Sequence, residues 1–172
     1  MGYTTNFEGV FRVTPTLKPE HQAYLEAFAG SRRMRRDVAA TGRLPDPRRI
    51  AAGLGIGEQG GYCVGSAADG NFGQGDPSRP DKTILNRNQA PKGQSSLWCM
   101  WVPTNDGNGL QWSGTEKFSS YVEWLEYLIH HFLAPWGYNV NGDVNWQGEF
   151  EEDSGTIRAR NNSVTTTGAP GA

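Results

Sequence analysis

The stretch Ser113-Gly114-Thr115-Glu116-Lys117-Phe118-Ser119-Ser120-Tyr121-Val122-Glu123-Trp124-Leu125-Glu126-Tyr127-Leu128-Ile129-His130-His131-Phe132 decides the fold class. Phe118, Tyr121, Val122, Leu125, Leu128, Ile129 and Phe132 recur at three- and four-residue steps. That spacing predicts one apolar stripe along a helix over 114–133. Ser113 and Glu116 fit a capping box, in which the hydroxyl caps the first turn and the carboxylate reaches back. Ala134-Pro135-Trp136-Gly137 ends the helix.

Alternating segments flank this helix. On its C-terminal side, Tyr138, Val140, Val144 and Trp146 alternate with Asn139, Asn141, Asp143, Asn145 and Gln147. This predicts a strand with one apolar and one strongly polar face. Residues 156–160 follow as a last strand. On the N-terminal side, 97–103 and 110–112 read as a hairpin around the turn-rich Asn105-Asp106-Gly107-Asn108-Gly109. Residues 6–14 place Phe7, Phe11 and Val13 on one face of a half-buried strand. A helix from Pro19 to about Phe28, stopped by Gly30, comes next. The order is β-α-(long segment)-β-β-α-β-β. The expected fold is α+β: an antiparallel sheet with two main helices on one face, ferredoxin-like βαββαβ plus an extra C-terminal strand and a long insertion. One domain should span 1–164, with 30–96 as a long Gly/Pro-rich insertion and 165–172 as a disordered tail. A short helix near 46–52 and a strand near 61–64 are expected inside the insertion.

Composition restricts the function. The chain has 172 residues and a formal net charge of −2, with 23 Gly and 10 Pro. This charge lowers the expectation of a dedicated nucleic-acid binder. No apolar run approaches the ~20 residues that span a membrane. Met1–Asn6 shows no secretory pattern, so a cytoplasmic setting is expected. Cys63 and Cys99 read as reduced thiols. With three histidines they are too few for a zinc finger, and no metal or cofactor is expected.

Several residues could carry recognition. Arg32, Arg33, Arg35 and Arg36 open a basic run in which seven Arg stand against Asp37 and Asp46 between residues 31 and 50. Guanidinium forks of this density suit phosphate, carboxylate or an acidic partner. They could instead pair internally with Asp143, Glu149, Glu151, Glu152 and Asp153. Asn86, Arg87, Asn88 and Gln94 combine donors and acceptors, with Trp98 or Trp101 as aromatic walls. Trp124, Tyr127 and His131 form a second aromatic stripe on the helix, off its main apolar face, that needs a cover. Gly55-Ile56-Gly57-Glu58-Gln59-Gly60 matches G-x-G-x-x-G in the wrong context, a helix before it and a strand after it, and reads as a turn. Cys99 with His130 or His131 does not make a convincing thiol nucleophile, because flanking tryptophans point to a buried thiol. No catalytic residue is nominated.

Leu97-Trp98-Cys99-Met100-Trp101-Val102-Pro103, Glu116-Lys117-Phe118, Tyr121–Ile129, Pro135-Trp136-Gly137-Tyr138 and Trp146-Gln147-Gly148-Glu149 together resemble a group of small uncharacterised bacterial and phage-borne proteins. The resemblance covers roughly residues 1–30 and 97–164. It brings no activity, cofactor or catalytic residue. It implies a phage or mobile-element setting, in which small proteins inhibit a host protein or sequester a small molecule.

The expected function is therefore non-enzymatic binding. The expected partner is a host protein or a small anionic, nucleotide-like ligand, with no membrane partner. Two other readings stay open: an enzyme with a pocket built from the 30–96 segment, and a nucleic-acid-binding module using the Arg32–Arg49 cluster.

Overall fold

The computed structural model describes residues 2–57, 60–64 and 81–168. In chain order its elements are β1 (Asn6–Gly9), β2 (Phe11–Thr14), α1 (Pro19–Ala29), β3 (Arg35–Arg36), α2 (Val38–Thr41), α3 (Pro47–Ala51) and β4 (Ile84–Asn86). They continue with β5 (Trp101–Pro103), β6 (Gly109–Trp112), α4 (Tyr121–Leu128), a π-helical turn (Ile129–Leu133), β7 (Asn139–Gln147), β8 (Ser154–Arg160) and β9 (Ser163–Thr166). The fold is mixed α+β with a mostly antiparallel sheet. Contacts divide the chain into two compact units, Met1–Lys18 with Met100–Ala172, and Pro19–Cys99.

The first unit carries the large sheet. Its strand order is β5-β6-β2-β7-β8-β9, with β1 also paired to β7. The predicted strand 6–14 is present in two pieces. β1 and β2 keep one continuous register along β7, from Asn6 opposite Gln147 to Thr14 opposite Asn139. The ladder is interrupted at Val10 and Phe11, opposite Asp143 and Gly142, and Gly142 has φ +139°. A Cβ on Gly142 would lie 3.0 Å from the Val10 carbonyl oxygen, so this close approach requires glycine.

Alternation sorts the side chains as expected. Phe11, Val13, Leu110, Val140, Val144, Trp146, Ile157 and Ala159 are buried, while Asn139, Asp143, Asn145 and Gln147 are exposed. Phe7 is only half-buried, yet it touches Trp101, Phe118 and Tyr121 with centroids 4.8–5.7 Å away. α4 packs against β5 and β9.

Three expectations for this unit are corrected. The helix begins at Tyr121, not near Gly114, and the Ser113–Glu116 capping box does not form. The Ser113 hydroxyl instead engages Thr115, whose amide donates to it at 3.4 Å. Lys117 and Ser120 take φ +63° and +56°, which no helix accommodates. Burial of Phe118 against Trp101, centroids 5.3 Å apart, draws this segment into a loop. The C-terminal end of the helix is also not regular: the Ala134 amide bonds the Ile129 carbonyl, five residues back, at 2.8 Å. That wider turn places Ile129, Phe132 and Leu133 together in the interior. Thr165 and Thr166, expected in a disordered tail, belong to β9 and pair with β8. Residues 169–172 of that tail lie outside the described residues.

The second unit contains α1, which buries Tyr24, Leu25 and Phe28 as its spacing predicts. α3 lies where the Asp46-Pro47 pair places it, but Asp46 makes no side-chain cap. Its carboxylate accepts the Cys63 amide and the Arg49 Nε, each at 3.0 Å. Residues 61–64 are not a strand. β3 and β4 pair antiparallel with an irregular register, Arg35 opposite Asn86 and Arg36 opposite Ile84. The rest of the 30–96 path, at 58–59 and 65–80, lies outside the described residues.

Candidate functional site

A surface built on the β3–β4 ribbon brings five of the predicted residues together: Arg32, Arg35, Asn86, Arg87 and Asn88. The turn after β4 makes this possible. The Asn88 amide donates to Asn86 Oδ1 at 2.9 Å, an Asx-type turn that an asparagine side chain supports locally. The Arg35 amide bonds the Gln89 carbonyl at 2.8 Å and ties the turn to β3. Arg32 then reaches across it. Its Nε donates to the Arg87 carbonyl at 3.1 Å and its Nη2 to Asn88 Oδ1 at 3.2 Å. Partial burial, and then the like charge of Arg87, lower the pKa of Arg32. Arg35 and Arg87 are exposed. The surface thus gathers the Arg32 side chain and the exposed Arg35 and Arg87 on one short ribbon and its turn.

Arg33, Arg36 and Gln94 were expected beside them and lie instead in the interior. Arg33 is 0 % exposed. Its Nη2 donates to the carbonyls of Gly60 at 2.6 Å and Tyr62 at 2.9 Å, and its Nε donates to Gln94 Oε1 at 3.1 Å. Its Cζ sits 4.0 Å from the Phe28 ring centroid. Gln94 completes the knot, donating to the Gly60 carbonyl at 3.2 Å. Arg36 donates to Asp81 Oδ2 at 2.7 Å and to the Thr83 hydroxyl at 2.8 Å. Burial alone would raise the Asp81 pKa. The Thr83 amide and hydroxyl and the Arg36 guanidinium outweigh it and hold Asp81 below its ordinary value. A guanidinium carries five donors, so a dense Arg run can tie loops together from inside as readily as it can bind a ligand.

Among the described residues of the glycine motif, Gly60 reaches this interior while Gly55 and Gly57 are exposed. Gly60 has φ +69°, and a Cβ there would meet Pro91 at 2.9 Å. Its service is a carbonyl presented to Arg33 and Gln94. Glu58 and Gln59 of the same motif lie outside the described residues.

Of the aromatic candidates, Trp101, Trp124 and Tyr127 are buried, and Trp98 and His131 are half-buried. Trp98 is half-buried, outside any strand, in the unit Pro19–Cys99. Trp101 belongs to the other unit and is 1 % exposed, its indole N–H donating to the Tyr121 carbonyl at 2.8 Å. Trp124 is 0 % exposed and edge-on to Tyr127, centroids 5.6 Å apart. His131 stacks on Tyr127 at 4.2 Å. Burial, and then neighbouring His130, lower its pKa. Trp124 and Tyr127 of the second stripe are thus buried, while His131 stays half-buried.

The internal pairing considered for the acidic residues does not form at Asp143, which bonds Arg158 and Arg160, each at 3.1 Å. Asp153 accepts the Tyr3 hydroxyl and Glu149 accepts the Thr4 amide.

One surface escaped the sequence reading. The outer face of β1, β7 and β8 carries a shallow groove of about 610 Å³ lined by Asn6, Glu8, Asn145, Gln147, Ser154 and Thr156 among others. Its signal was the polar alternation of 139–147. The pairing of β1 and β8 to it was not readable in one segment.

Cys63 is buried, and burial pushes its thiol up to about 12. Thiolate, the reactive form, is scarce at such a value. A thiol-specific disulfide reagent at about pH 8 should leave Cys63 and Cys99 unmodified in the folded chain and titrate both after unfolding. Rapid reaction in the folded state would contradict their placement.

Among the described residues no group of His, Cys, Asp and Glu could hold a metal ion. No helix there is long and apolar enough to cross a membrane. No family model matches the chain, and no curated protein or solved structure is significantly similar to it.

Proposed function

We propose that the protein is a non-enzymatic binding protein that captures a small phosphate-bearing, nucleotide-like ligand on the β3–β4 ribbon. The observation that carries this reading is the Arg32 guanidinium held on the Arg87 carbonyl and Asn88 Oδ1, with Arg35 and Arg87 exposed on the same ribbon and turn. Two neighbouring guanidinium groups repel each other. An anion placed between them converts repulsion into charge-assisted hydrogen bonds, each worth about 1.5–3 kcal/mol. Asn86, Asn88 and the Arg87 turn would orient that anion.

The distribution of charge favours a small ligand over a nucleic acid. Arg36 is matched by Asp81, Arg49 by Asp46, and Arg33 is enclosed. Fewer of the seven Arg are therefore available to track a phosphate backbone. The resemblance to phage-borne proteins fits a sequestering role in a cytoplasmic setting. The strand order also supports a ferredoxin-like core. If 6–14, 101–103, 109–112 and 139–147 are its strands one to four, the first lies between the third and the fourth, and the second is at the edge. β8 and β9 then extend that sheet.

Calorimetric titration with pyrophosphate and adenosine triphosphate at low salt tests the reading. Binding should weaken at least about tenfold in Arg87→Gln and in Arg32→Gln, the loss of one charge-assisted bond. Both variants should melt like the parent. Absence of binding by any phosphate probe overturns it. Tighter binding of an oligonucleotide with a steep salt dependence would favour the nucleic-acid module instead.

A further inference from the structure

β9 is the last strand of its sheet, and among the described residues it pairs with β8 alone. The Thr167 amide bonds the Thr156 carbonyl at 2.9 Å, which fixes the alternation of the ladder. By that alternation Ser163 and Thr165 direct their backbone groups to Arg160 and Arg158, while Val164 and Thr166 direct theirs outward. Ser163, Thr165 and Thr166 are exposed and Val164 is half-buried.

Folded proteins ordinarily blunt such an edge with a charge, a proline or a bulge. Asn161-Asn162-Ser163-Val164-Thr165-Thr166-Thr167-Gly168 contains no charge and no proline, and its pairing to β8 is regular. Val and Thr favour extended backbone. The opposite edge differs: β5 ends in Pro103 and buries Trp101. Among the described residues, the β5 edge carries a proline, while the β9 edge pairs with no further strand and carries no proline or charge, although α4 packs beside it.

We propose that β9 pairs antiparallel with β9 of a second copy of this chain, about a two-fold axis at Thr165. Val164 of one copy then faces Thr166 of the other, and each such pair exchanges both backbone bonds. Thr165 faces Thr165 in the closer, non-bonded pair, where Thr side chains stabilise each other. A strand laid against itself brings like charges together unless it has none, and β9 has none. The nearest cations on the same face, Arg158 and Arg160, are both bonded to Asp143. The contact is isologous and closes at two copies.

Sedimentation equilibrium of the full chain tests it. The parent should show a dimer whose fraction rises with concentration. Val164→Pro removes an amide that points away from β8, so the ladder within the chain is kept while the edge is blocked. Thr166→Lys places like charges across the axis. Both variants should sediment as monomers with parental circular dichroism. A monomeric parent at about 1 mM, where even a weak contact is populated, overturns the proposal. So does a dimer that survives Thr166→Lys, which also decides the matter if Val164→Pro does not fold.

Discussion

Arg33→Ala is expected to destabilise the protein by about 2–4 kcal/mol, the order of leaving two buried acceptors without their donor at about 1–3 kcal/mol each. The Tyr62 carbonyl and the Gln94 side-chain oxygen would lose the Arg33 donor, while the Gly60 carbonyl would keep only the Gln94 amide. Each unsatisfied acceptor costs about 1–3 kcal/mol, partly offset because the buried charge itself disappears. Stacking on Phe28 is lost as well. Small domains are stable by only about 5–15 kcal/mol, so the effect should be plain in urea unfolding. Arg33→Lys should recover little, since an ammonium cannot reproduce the fork that spans Gly60, Tyr62 and Gln94. A loss below about 1 kcal/mol for Arg33→Ala would mean that the knot is not a structural centre.

Trp124→Ala should cost about 3–5 kcal/mol, the usual range for truncating a fully buried tryptophan. Its ring is 0 % exposed and meets Tyr127 edge-on. Phosphate-probe binding by the folded fraction should be unchanged, because Trp124 is not among the ribbon residues. Parental stability with impaired binding would restore the aromatic stripe to the candidate site.

The strands and helices that depend on local spacing were legible in the sequence. α1, α3, β6, β7 and β8 fall where periodicity and turn residues place them. The beginning of α4 was not legible. A capping box at Ser113 is a local signal, and burial of Phe118 beside Trp101 is a tertiary one that outweighs it. β9 was hidden because Val-Thr-Thr has no alternation of its own, and its pairing with β8 makes it a strand.

The exposed arginines of the proposed site were only partly legible. Arg density identified a basic surface. It did not separate Arg32, which bonds the Arg87 turn, from Arg33, one residue on, which is enclosed by carbonyls. Adjacent residues point opposite ways, so that assignment depended on where Gly60, Tyr62 and Gln94 return to the chain. The burial of Trp124 and Tyr127 was not legible for a related reason. An aromatic stripe on a helix reports that something covers it, but not whether that cover is the protein or a ligand.

The most direct measurement follows the arginine side-chain Nε–H signals by NMR while pyrophosphate is added. Arg32 and Arg87 should shift together and saturably, with the buried Arg33 and Arg36 nearly still. Shifts confined to Arg12, Arg158 and Arg160 on the outer sheet face, or no saturable shift at Arg32 and Arg87, would contradict it.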